Sequence, residues 1–147
     1  MSVLNSIKIS ASSLFAQRLR MDVIANNVAN VNSTRGEDGQ VYRRQSVVFR
    51  EQAQGPNFDN LLGRATGQTS VGGVEVTEIH RDQSAPRRVH EPTHPDADAE
   101  GYILLPNVDV VTEMTDLVSA SRAYQASSTV INATKSIAQS ALSIGRG

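Results

Sequence analysis

The chain has 147 residues, the length of one domain or of a small domain with extended arms. Apolar residues make up 39% of it and aromatic residues only 4%, against about 45–50% apolar residues in ordinary globular proteins, which argues against a large compact core. Fourteen basic residues stand against 15 acidic ones, whereas nucleic-acid binders usually carry a basic excess. The chain has no cysteine, which excludes disulfides, thiolate metal sites and a cysteine nucleophile.

No membrane-spanning helix or signal peptide is predicted. The uncharged stretch at residues 123–134 is rich in Ser and Thr and is shorter than the about 20 apolar residues that a spanning helix needs. The first residues lack the basic and then apolar layout of a signal peptide. We therefore expect the chain either to stay in the cytoplasm or to leave by a route that uses no cleaved signal.

Glycine and proline divide the chain into three segments. None of the 10 Gly or 5 Pro lies in residues 2–35 or 107–144, and every proline lies between these ranges. Both residue types break helices. We therefore expect an N-terminal helical arm at 1–35, a middle segment of short strands and loops at 36–105, and a C-terminal helical arm at 106–147.

Both arms carry apolar residues at alternating steps of three and four, the spacing of a heptad helix. Asn107 or Asp109 is the expected cap of the C-terminal helix. We call the residues on these two lines the predicted seam. They are Leu4, Ile7, Leu14, Met21 and Val28 in the N-terminal arm and Val110, Met114, Leu117, Tyr124, Ile131 and Leu142 in the C-terminal arm.

The C-terminal arm carries a second apolar line beside the seam, formed by Val130, Ile137, Ala141 and Ile144. One partner helix cannot cover both lines. The arm is also poor in charge and rich in Ala, Ser and Thr. Two interpretations follow: an over-long helix in a loose three- or four-helix bundle, or a helix buried among several neighbouring subunits. The small, polar surface favours the second.

The middle segment is predicted to hold three strands, near residues 40–49, 73–79 and 101–105, because β-branched and aromatic residues are enriched there. A parity slip at Ile79 indicates a bulge in the second. The polar, Gly-rich stretch at 51–72 has no clear period and is predicted to be a mobile loop.

The best candidate for catalysis is the stretch at residues 90–98, which holds two histidines and three acidic residues. These are metal-ligand types, but Pro92 and Pro95 prevent the helix that would bring His90 and His94 to one face. The favoured interpretation is a solvated loop closed by Asx turns. No phosphate loop or nucleophile elbow is present, so neither an enzyme nor a cofactor is predicted.

Two basic pairs were weighed as nucleic-acid contacts. Arg43-Arg44 and Arg87-Arg88 have no interleaved aromatic residues and are surrounded by acidic ones, which is untypical of a nucleic-acid surface. As strand-edge charges or as partners in subunit ion pairs they are ordinary.

Four asparagines, Asn26, Asn27, Asn30 and Asn32, cluster where the N-terminal helix is expected to end. Asparagine is a poor mid-helix residue because its side chain competes for backbone groups. The amides either cap their own helix or bond across to another helix or subunit, where buried amides fix register.

The Asn cluster lies in the run Ala25-Asn-Asn-Val-Ala-Asn-Val-Asn-Ser-Thr34, which resembles the N-terminal signature of bacterial flagellar rod, hook and hook-associated proteins. The C-terminal arm resembles the same family through residues 107–117 and the run Ala120-Ser-Arg-Ala-Tyr-Gln-Ala126. The spaced pattern from Gly36 to Tyr42, the residues 72–76 and 94–102, and the short length resemble the proximal rod proteins within it. The stretch at 51–70 is longer than that resemblance leads us to expect.

The resemblance implies a structural subunit of the basal body, part of the proximal rod that transmits motor torque. It implies export by the flagellar type III apparatus without a cleaved signal, and a place in the periplasmic rod. The implied partners are copies of the chain, other rod proteins, and membrane-ring and rod-junction proteins. Neither nucleic acid nor a small-molecule substrate is expected.

Heptad spacing and resemblance together predict a mainly α fold, with the two terminal helices paired as an antiparallel coiled coil through the predicted seam and a small β-strand and loop middle. Because an isolated helix pair is marginal, we expect the arms to be largely disordered in the monomer and to order on assembly. The alternatives are another flagellar axial subunit and a cytoplasmic coiled-coil adaptor.

Overall fold

A computed structural model describes residues 3–36, 39–52 and 72–145 of the chain. Long helices lie at both ends of the described residues, and four short strands lie between them. Strand β1 pairs with β2, and β3 pairs with β4. The elements are α1 (Val3–Ala29), β1 (Gln45–Glu51), β2 (Val74–Arg81), β3 (Arg87–His90), β4 (Tyr102–Leu105) and α2 (Val110–Ile144).

The chain forms two compact units. The first unit comprises Met1–Arg18, Phe49–Thr77 and Arg122–Gly147, and the second comprises Leu19–Val48 and Glu78–Ser121. Each terminal helix therefore contributes one part to each unit.

The first unit holds the beginning of α1 beside the later part of α2. The hydroxyls of Ser13 and Ser127 share a hydrogen bond of 2.9 Å between these helices. Ser12 Oγ accepts a hydrogen bond of 3.0 Å from the backbone N–H of Val74, and so ties α1 to β2. Gly73 is needed beside it, because a Cβ there would clash with Ser12 Oγ. Small side chains therefore set the close approach of these elements.

The second unit contains most of the buried apolar side chains. The antiparallel hairpin of β3 and β4 pairs Arg87 with Leu105 and His90 with Tyr102. The loop between the strands returns through Gly101, whose φ of 79° is one that residues with a Cβ rarely adopt. The buried apolar residues of this unit include Val23 and Ile24 of α1, Ile103 and Leu105 of β4, Val108 before α2 and Ala120 within it.

Helix α2 begins with a side-chain cap. Asp109 accepts hydrogen bonds from the Val111 N–H at 3.0 Å and from the Thr112 hydroxyl at 2.8 Å. Of the two residues expected to cap this helix, Asp109 performs the role. Helix α1 ends at Ala29, and turns follow from Asn30, so the N-terminal arm stops being helical before residue 35.

The two terminal helices pack against each other, as expected, and the residues between them form a small β middle. In the second unit, Arg20 lies 3.2 Å from Asp116 and Asn27 lies 3.0 Å from Glu113. Residue numbers rise along α1 as they fall along α2, so these helix segments run antiparallel. The fold is thus mainly α in outline, with helix pairing carried by polar and small residues.

The most buried line on α1 is not the predicted seam. Ser10, Ala16, Val23, Ile24 and Asn27 are buried. At about 3.6 residues per turn, Ala16, Val23 and Asn27 lie on a different side of the helix from Leu4, Leu14 and Met21, whereas Ser10 lies beside Leu14 and Met21. The periodicity of apolar residues could not reveal this, because much of the packed face is made of Ser, Ala and Asn.

Each of the three predicted strand regions holds a strand, but their bounds differ in part and a fourth strand is present among the described residues. Strand β1 begins at Gln45, later than the predicted 40, and β3 at Arg87–His90 was not predicted as a strand. Arg87 and Arg88 therefore do lie on a strand, as one interpretation of that basic pair required. Most of the predicted loop at 51–72 lies outside the described residues. Among the described helices, none is both long and apolar enough to cross a membrane.

Candidate functional site

The side chain of Asn27 forms the centre of a buried polar cluster in the second unit. Its amide nitrogen donates to the carbonyl of Gln45 at 2.8 Å and to Glu113 Oε2 at 3.0 Å. Its amide oxygen accepts from the Gln45 N–H and from the Tyr42 hydroxyl, both at 2.9 Å. Asn27 is completely buried, and it therefore joins α1, β1 and α2 through one side chain.

Glu113 supplies the charge of the cluster and is also completely buried. Arg44 holds it through two guanidinium nitrogens, Nε and Nη2, each 2.6 Å from Oε1. Burying a carboxylate is costly unless it is paired and hydrogen-bonded, and here each of its oxygens has a partner. Arg44 thus forms an ion pair within the chain. From the sequence, an ion pair between subunits had been one of the possible roles of this residue.

The cluster also changes the acidity of Tyr42. Burial raises the pKa of the Tyr42 hydroxyl above its usual range, and the nearby negative charge of Glu113 raises it further, while Arg81 lowers it. The phenol therefore stays protonated and donates its hydrogen to Asn27 Oδ1. This proton fixes which atom of the Asn27 amide accepts and which donates.

The other three asparagines of the motif do not take part in the buried cluster. Asn30 donates from Nδ2 to the Asn26 carbonyl at 2.9 Å and accepts from the Ser33 hydroxyl at 3.1 Å, so it caps its own helix. Asn26 and Asn32 have exposed side chains. Both interpretations of the cluster are therefore confirmed: Asn30 caps, and Asn27 bonds across to another helix.

The loop at residues 91–100 uses its polar groups to hold its own shape. Asp98 Oδ1 accepts from the N–H groups of Glu100 and Tyr102, both at 2.9 Å, and the bond from Tyr102 is the chief reason that the pKa of Asp98 lies below its usual range. Asp96 binds Arg35 at 2.7 Å and the Thr34 hydroxyl at 2.7 Å. An Asx turn of the expected kind is present at Asp98. Within the described residues no group of three or more His, Cys, Asp or Glu is placed to hold a metal ion.

None of the predicted seam residues is fully buried in the single chain. Leu4 and Leu142 are about 70% exposed, Met114 and Tyr124 are also exposed, and the other seven are half-buried. The second apolar line of α2 is also open. Val130, Ile137 and Ile144 are 47%, 63% and 81% exposed, and we call these three residues the C-terminal stripe.

Comparison with known proteins identifies the family. Residues 7–36 match the family described as "Flagella basal body rod protein", and residues 99–144 match "Flagellar basal body rod FlgEFG protein C-terminal". The chain is 45% identical to the flagellar basal-body rod protein FlgC of Borreliella burgdorferi, with all of both chains covered. It is 44% identical to FlgC of Bacillus subtilis and 43% identical to FlgC of Salmonella typhimurium, in each case over 99% of this chain and 100% of the relative.

The chain belongs to the FlgC family of flagellar basal-body rod proteins. It is a structural subunit and not an enzyme. The resemblance seen in the sequence is confirmed, and so is its narrowing from axial proteins in general to this family.

The two matched regions meet in the polar cluster. Asn27 comes from the N-terminal match and Glu113 from the C-terminal match. The sequence analysis predicted that the asparagines need partners. It noted Tyr42 as part of a family-like pattern and Arg44 as part of a basic pair, but it did not predict Glu113 as their partner. The available signal was that Glu113 is one of only four charged residues in 110–144. The cluster therefore joins the two signatures of a rod protein within one subunit, as do the Arg20–Asp116 ion pair and the hydrogen bond between Ser13 and Ser127.

Proposed function

We propose that this chain forms part of the proximal rod of the flagellum and transmits motor torque there by packing its terminal helices against those of neighbouring subunits. The observation that carries the proposal is the C-terminal stripe, an apolar line that the chain leaves uncovered. Soluble monomers rarely expose contiguous apolar patches without a binding role. In the rod, neighbouring helices would cover it.

The spacing of the C-terminal stripe indicates what kind of partner covers it. Val130, Ile137 and Ile144 follow one another at intervals of seven residues, and a strict seven-residue repeat favours a left-handed supercoil with another helix. The later part of α2 has only Arg122 and Lys135 as charged residues between 122 and 144. Ala, Ser and Thr around the stripe allow close approach of another helix. These features support coiled-coil packing between subunits.

A rod that transmits torque must keep its subunits rigid. The buried cluster of Asn27, Glu113 and Arg44 supports this, because buried amides and ion pairs specify one register between helices. In the second unit it fixes α1, β1 and α2 to one another, and the side chains of Asn27 and Glu113 at its centre are completely buried. We propose that it holds the subunit in one shape under load.

The proposal extends to partners and location. The chain would assemble with copies of itself and other rod proteins, meet membrane-ring and rod-junction proteins at its ends, and reach the periplasmic rod through the flagellar type III export apparatus without a cleaved signal. The predicted seam residues that remain exposed, such as Leu4 and Leu142, would lie in these interfaces. The chain would then consist of an N-terminal helical arm at 1–35, a middle segment at 36–105 and a C-terminal helical arm at 106–147.

The test is a pair of charge insertions in the later part of α2. Ile137→Asp places a carboxylate on the C-terminal stripe, and Ser136→Asp places the same group on the adjacent residue, which is also exposed but lies off the stripe. Each variant replaces the native gene, and basal bodies and swimming are then scored. We expect Ile137→Asp to abolish rod assembly and motility, and Ser136→Asp to retain them.

The proposal has a clear contrary result. If Ile137→Asp cells swim and build complete rods while the variant protein is present at normal levels, the C-terminal stripe does not pack in the rod. Secreted variant protein is measured in parallel, since loss of export would place the defect before assembly and also contradict the assigned interface.

A further inference from the structure

A groove lies along strand β4 in the second unit. Two clefts, of about 290 Å³ and about 410 Å³, share Gly39, Val41 and Leu104 as lining residues and together form it. The smaller cleft extends from Leu104 towards Asn107, and the larger towards Tyr102. All of these residues belong to the second unit, and none belongs to the predicted seam or to the C-terminal stripe. The proposed rod packing therefore gives this surface no role.

The groove presents main-chain groups of β4 that no strand pairs. The N–H of Glu91 donates to the carbonyl of Gly101 at 2.9 Å, so these two residues form a hydrogen-bonded pair of the hairpin. The next residue, Tyr102, therefore points its N–H and carbonyl away from β3, and Asp98 binds both of them at 2.9 Å. Leu104, two residues further along, points its main-chain groups to the same side. Within the described residues these two groups have no hydrogen-bond partner, and an unpaired edge of this kind can accept an extended chain.

The wall of the groove beside this edge is apolar. The side chain of Leu104 is 43% exposed, whereas Ile103 and Leu105, which alternate with it along β4, are buried on the other face. Val41 and Pro86 are half-buried and line the smaller cleft together with Leu104. Pockets that bind ligands combine such apolar walls with a few polar groups. An apolar side chain of an occupant would therefore lie beside Leu104.

The cation left without a carboxylate partner along the groove is Arg43. Its side chain is exposed and donates to the carbonyl of Ser84 at 3.2 Å, and within the described residues it forms no ion pair. The nearby carboxylate of Asp82 accepts hydrogen bonds from the N–H and the hydroxyl of Ser84. The other arginines of the two clefts each have a carboxylate partner, in the pairs Arg44–Glu113, Arg35–Asp96 and Arg88–Asp98. A carboxylate on the occupant would therefore complement Arg43.

We propose that this groove binds an extended, acidic segment of a partner protein. The segment would pair its main chain with the N–H and carbonyl of Leu104, place an apolar side chain between Val41 and Leu104, and set a carboxylate against Arg43. Side chains two residues apart lie on one face of an extended chain, so an apolar and an acidic residue at that spacing would reach both positions. In strand addition of this kind the main chain supplies affinity and alternate side chains supply specificity.

A second copy of this chain does not offer the same complement through this edge. If β4 of one copy paired with β4 of another, the residues two positions from Leu104 would be Tyr102 and Pro106. Neither carries a carboxylate for Arg43, and Pro106 has no N–H to donate. The charge and the pairing groups of the groove therefore favour a segment of a different protein.

The test measures binding of a defined peptide to the purified full-length chain. The probe is the capped, fluorescein-labelled peptide Asp-Thr-Val-Thr-Asp, in which an acidic residue stands two positions from the valine in either chain direction. Binding is followed by fluorescence anisotropy at protein concentrations up to about 1 mM, which covers even weak complexes. Asn-Thr-Val-Thr-Asn is the control without carboxylates. A probe that is N-methylated at its three central residues is the control that lacks main-chain donors.

Three variants of the chain locate the peptide. Arg43→Gln removes the cation of the groove, and Leu104→Thr removes its apolar wall while keeping a strand-forming residue. Arg87→Gln is the matched control, because Arg87 is also exposed, lies on the same hairpin and forms no ion pair within the described residues, but lines neither cleft. Circular dichroism verifies that each variant is folded.

We expect the wild-type chain and Arg87→Gln to bind the probe equally. Arg43→Gln should bind it about tenfold more weakly, because one charge-assisted hydrogen bond is lost, and the asparagine peptide should show the same loss with the wild-type chain. For Arg43→Gln, the aspartate and asparagine peptides should then bind alike. Leu104→Thr and the N-methylated probe should each reduce binding further.

Three results would overturn the inference: a wild-type chain that does not bind the probe, an N-methylated probe that binds as well as the unmodified one, or an equal loss of binding in Arg43→Gln and Arg87→Gln. Sedimentation of the wild-type chain and of Leu104→Thr tests the remaining occupant. If the wild-type chain ignores the probe but associates with itself, and Leu104→Thr abolishes that association, the groove binds a second copy and the proposed partner is wrong. The rod function fails separately, if cells without the chain still build an intact rod.

Discussion

At the scale of single residues, the amide of Asn27 joins α1 to β1, α2 and Tyr42. It makes four hydrogen bonds to groups in β1, α2 and Tyr42, and water does not reach it. Its neighbour Asn26 has the same chemistry one position away but points to solvent. The two residues therefore differ only in the side of α1 on which they lie: Asn27 faces the interior of the chain, and Asn26 faces solvent.

Replacement of Asn27 by Ala should destabilise the chain by about 2–4 kcal/mol, because the buried Glu113 and the half-buried Tyr42 and Gln45 would each lose a hydrogen-bond partner. Urea unfolding followed by circular dichroism measures the change. Asn26→Ala is the matched control and should stay within about 0.5 kcal/mol of wild type. Equal effects of the two substitutions would show that the cluster does not act as described.

The sequence predicted that the asparagines needed partners but not which amide would find them. The Asn-rich run signals a helix end by local chemistry, and the capping by Asn30 follows from that chemistry. The partners of Asn27 are distant: Tyr42 lies 15 residues away and Glu113 lies 86 residues away. No local pattern encodes a meeting of residues so far apart, and Glu113 in isolation resembles any surface glutamate.

At the scale of elements, the beginning of α2 depends on its cap. The hydrogen bond from the Thr112 hydroxyl, followed by that from the Val111 N–H, holds the pKa of Asp109 below its ordinary value of 3.8. A carboxyl with a lowered pKa in the folded state stabilises the fold above the ordinary pKa. That contribution is lost as the pH falls from 3.8 through the lower folded value.

Asp109→Ala should therefore lower the urea midpoint at pH 7, because the first N–H groups of α2 lose an acceptor. The difference from wild type should narrow as the pH falls below 3.8 and the wild-type carboxyl takes up its proton. Asp109→Asn should keep most of the cap without the pH dependence. A midpoint difference that stays constant over the whole acid range would contradict this account.

The two parts of α2 differ in how much the single chain covers them. Its only fully buried side chains, Glu113 and Ala120, lie in the first third of the helix. In amide hydrogen exchange on the free chain, residues 122–144 should therefore exchange much faster than residues 110–121. Both regions should be protected in assembled rods. Strong protection throughout α2 in the free chain would contradict the expectation that these arms gain order on assembly.

The existence of both helices could be predicted from the absence of Gly and Pro, and their pairing from heptad spacing. The packed face of α1 could not, since Ser13 and Asn27 contact α2 while Leu4 remains exposed. Hydrophobic periodicity assumes that the apolar line faces the nearest partner. Here small and polar residues face the partner helix within the chain, and several large apolar residues remain exposed. Strand β3 was missed because Arg87 and Arg88 give it a polar character.

At the scale of the whole molecule, the features that are unusual for a monomer are those a rod subunit requires. Aromatic residues are few, at 4%, and large apolar side chains such as Ile137 and Ile144 lie on the surface. A buried polar cluster fixes the fold, and exposed apolar lines remain for neighbours. The single chain thus leaves several large apolar side chains exposed, which agrees with the packing between rod subunits that we propose.

The most direct measurement of the central claim is electron cryotomography of basal bodies in cells from which this gene has been deleted. The account predicts that the rod, hook and filament are lost while the membrane ring remains, and that the wild-type gene restores them. An intact rod in motile cells that lack the chain would contradict it.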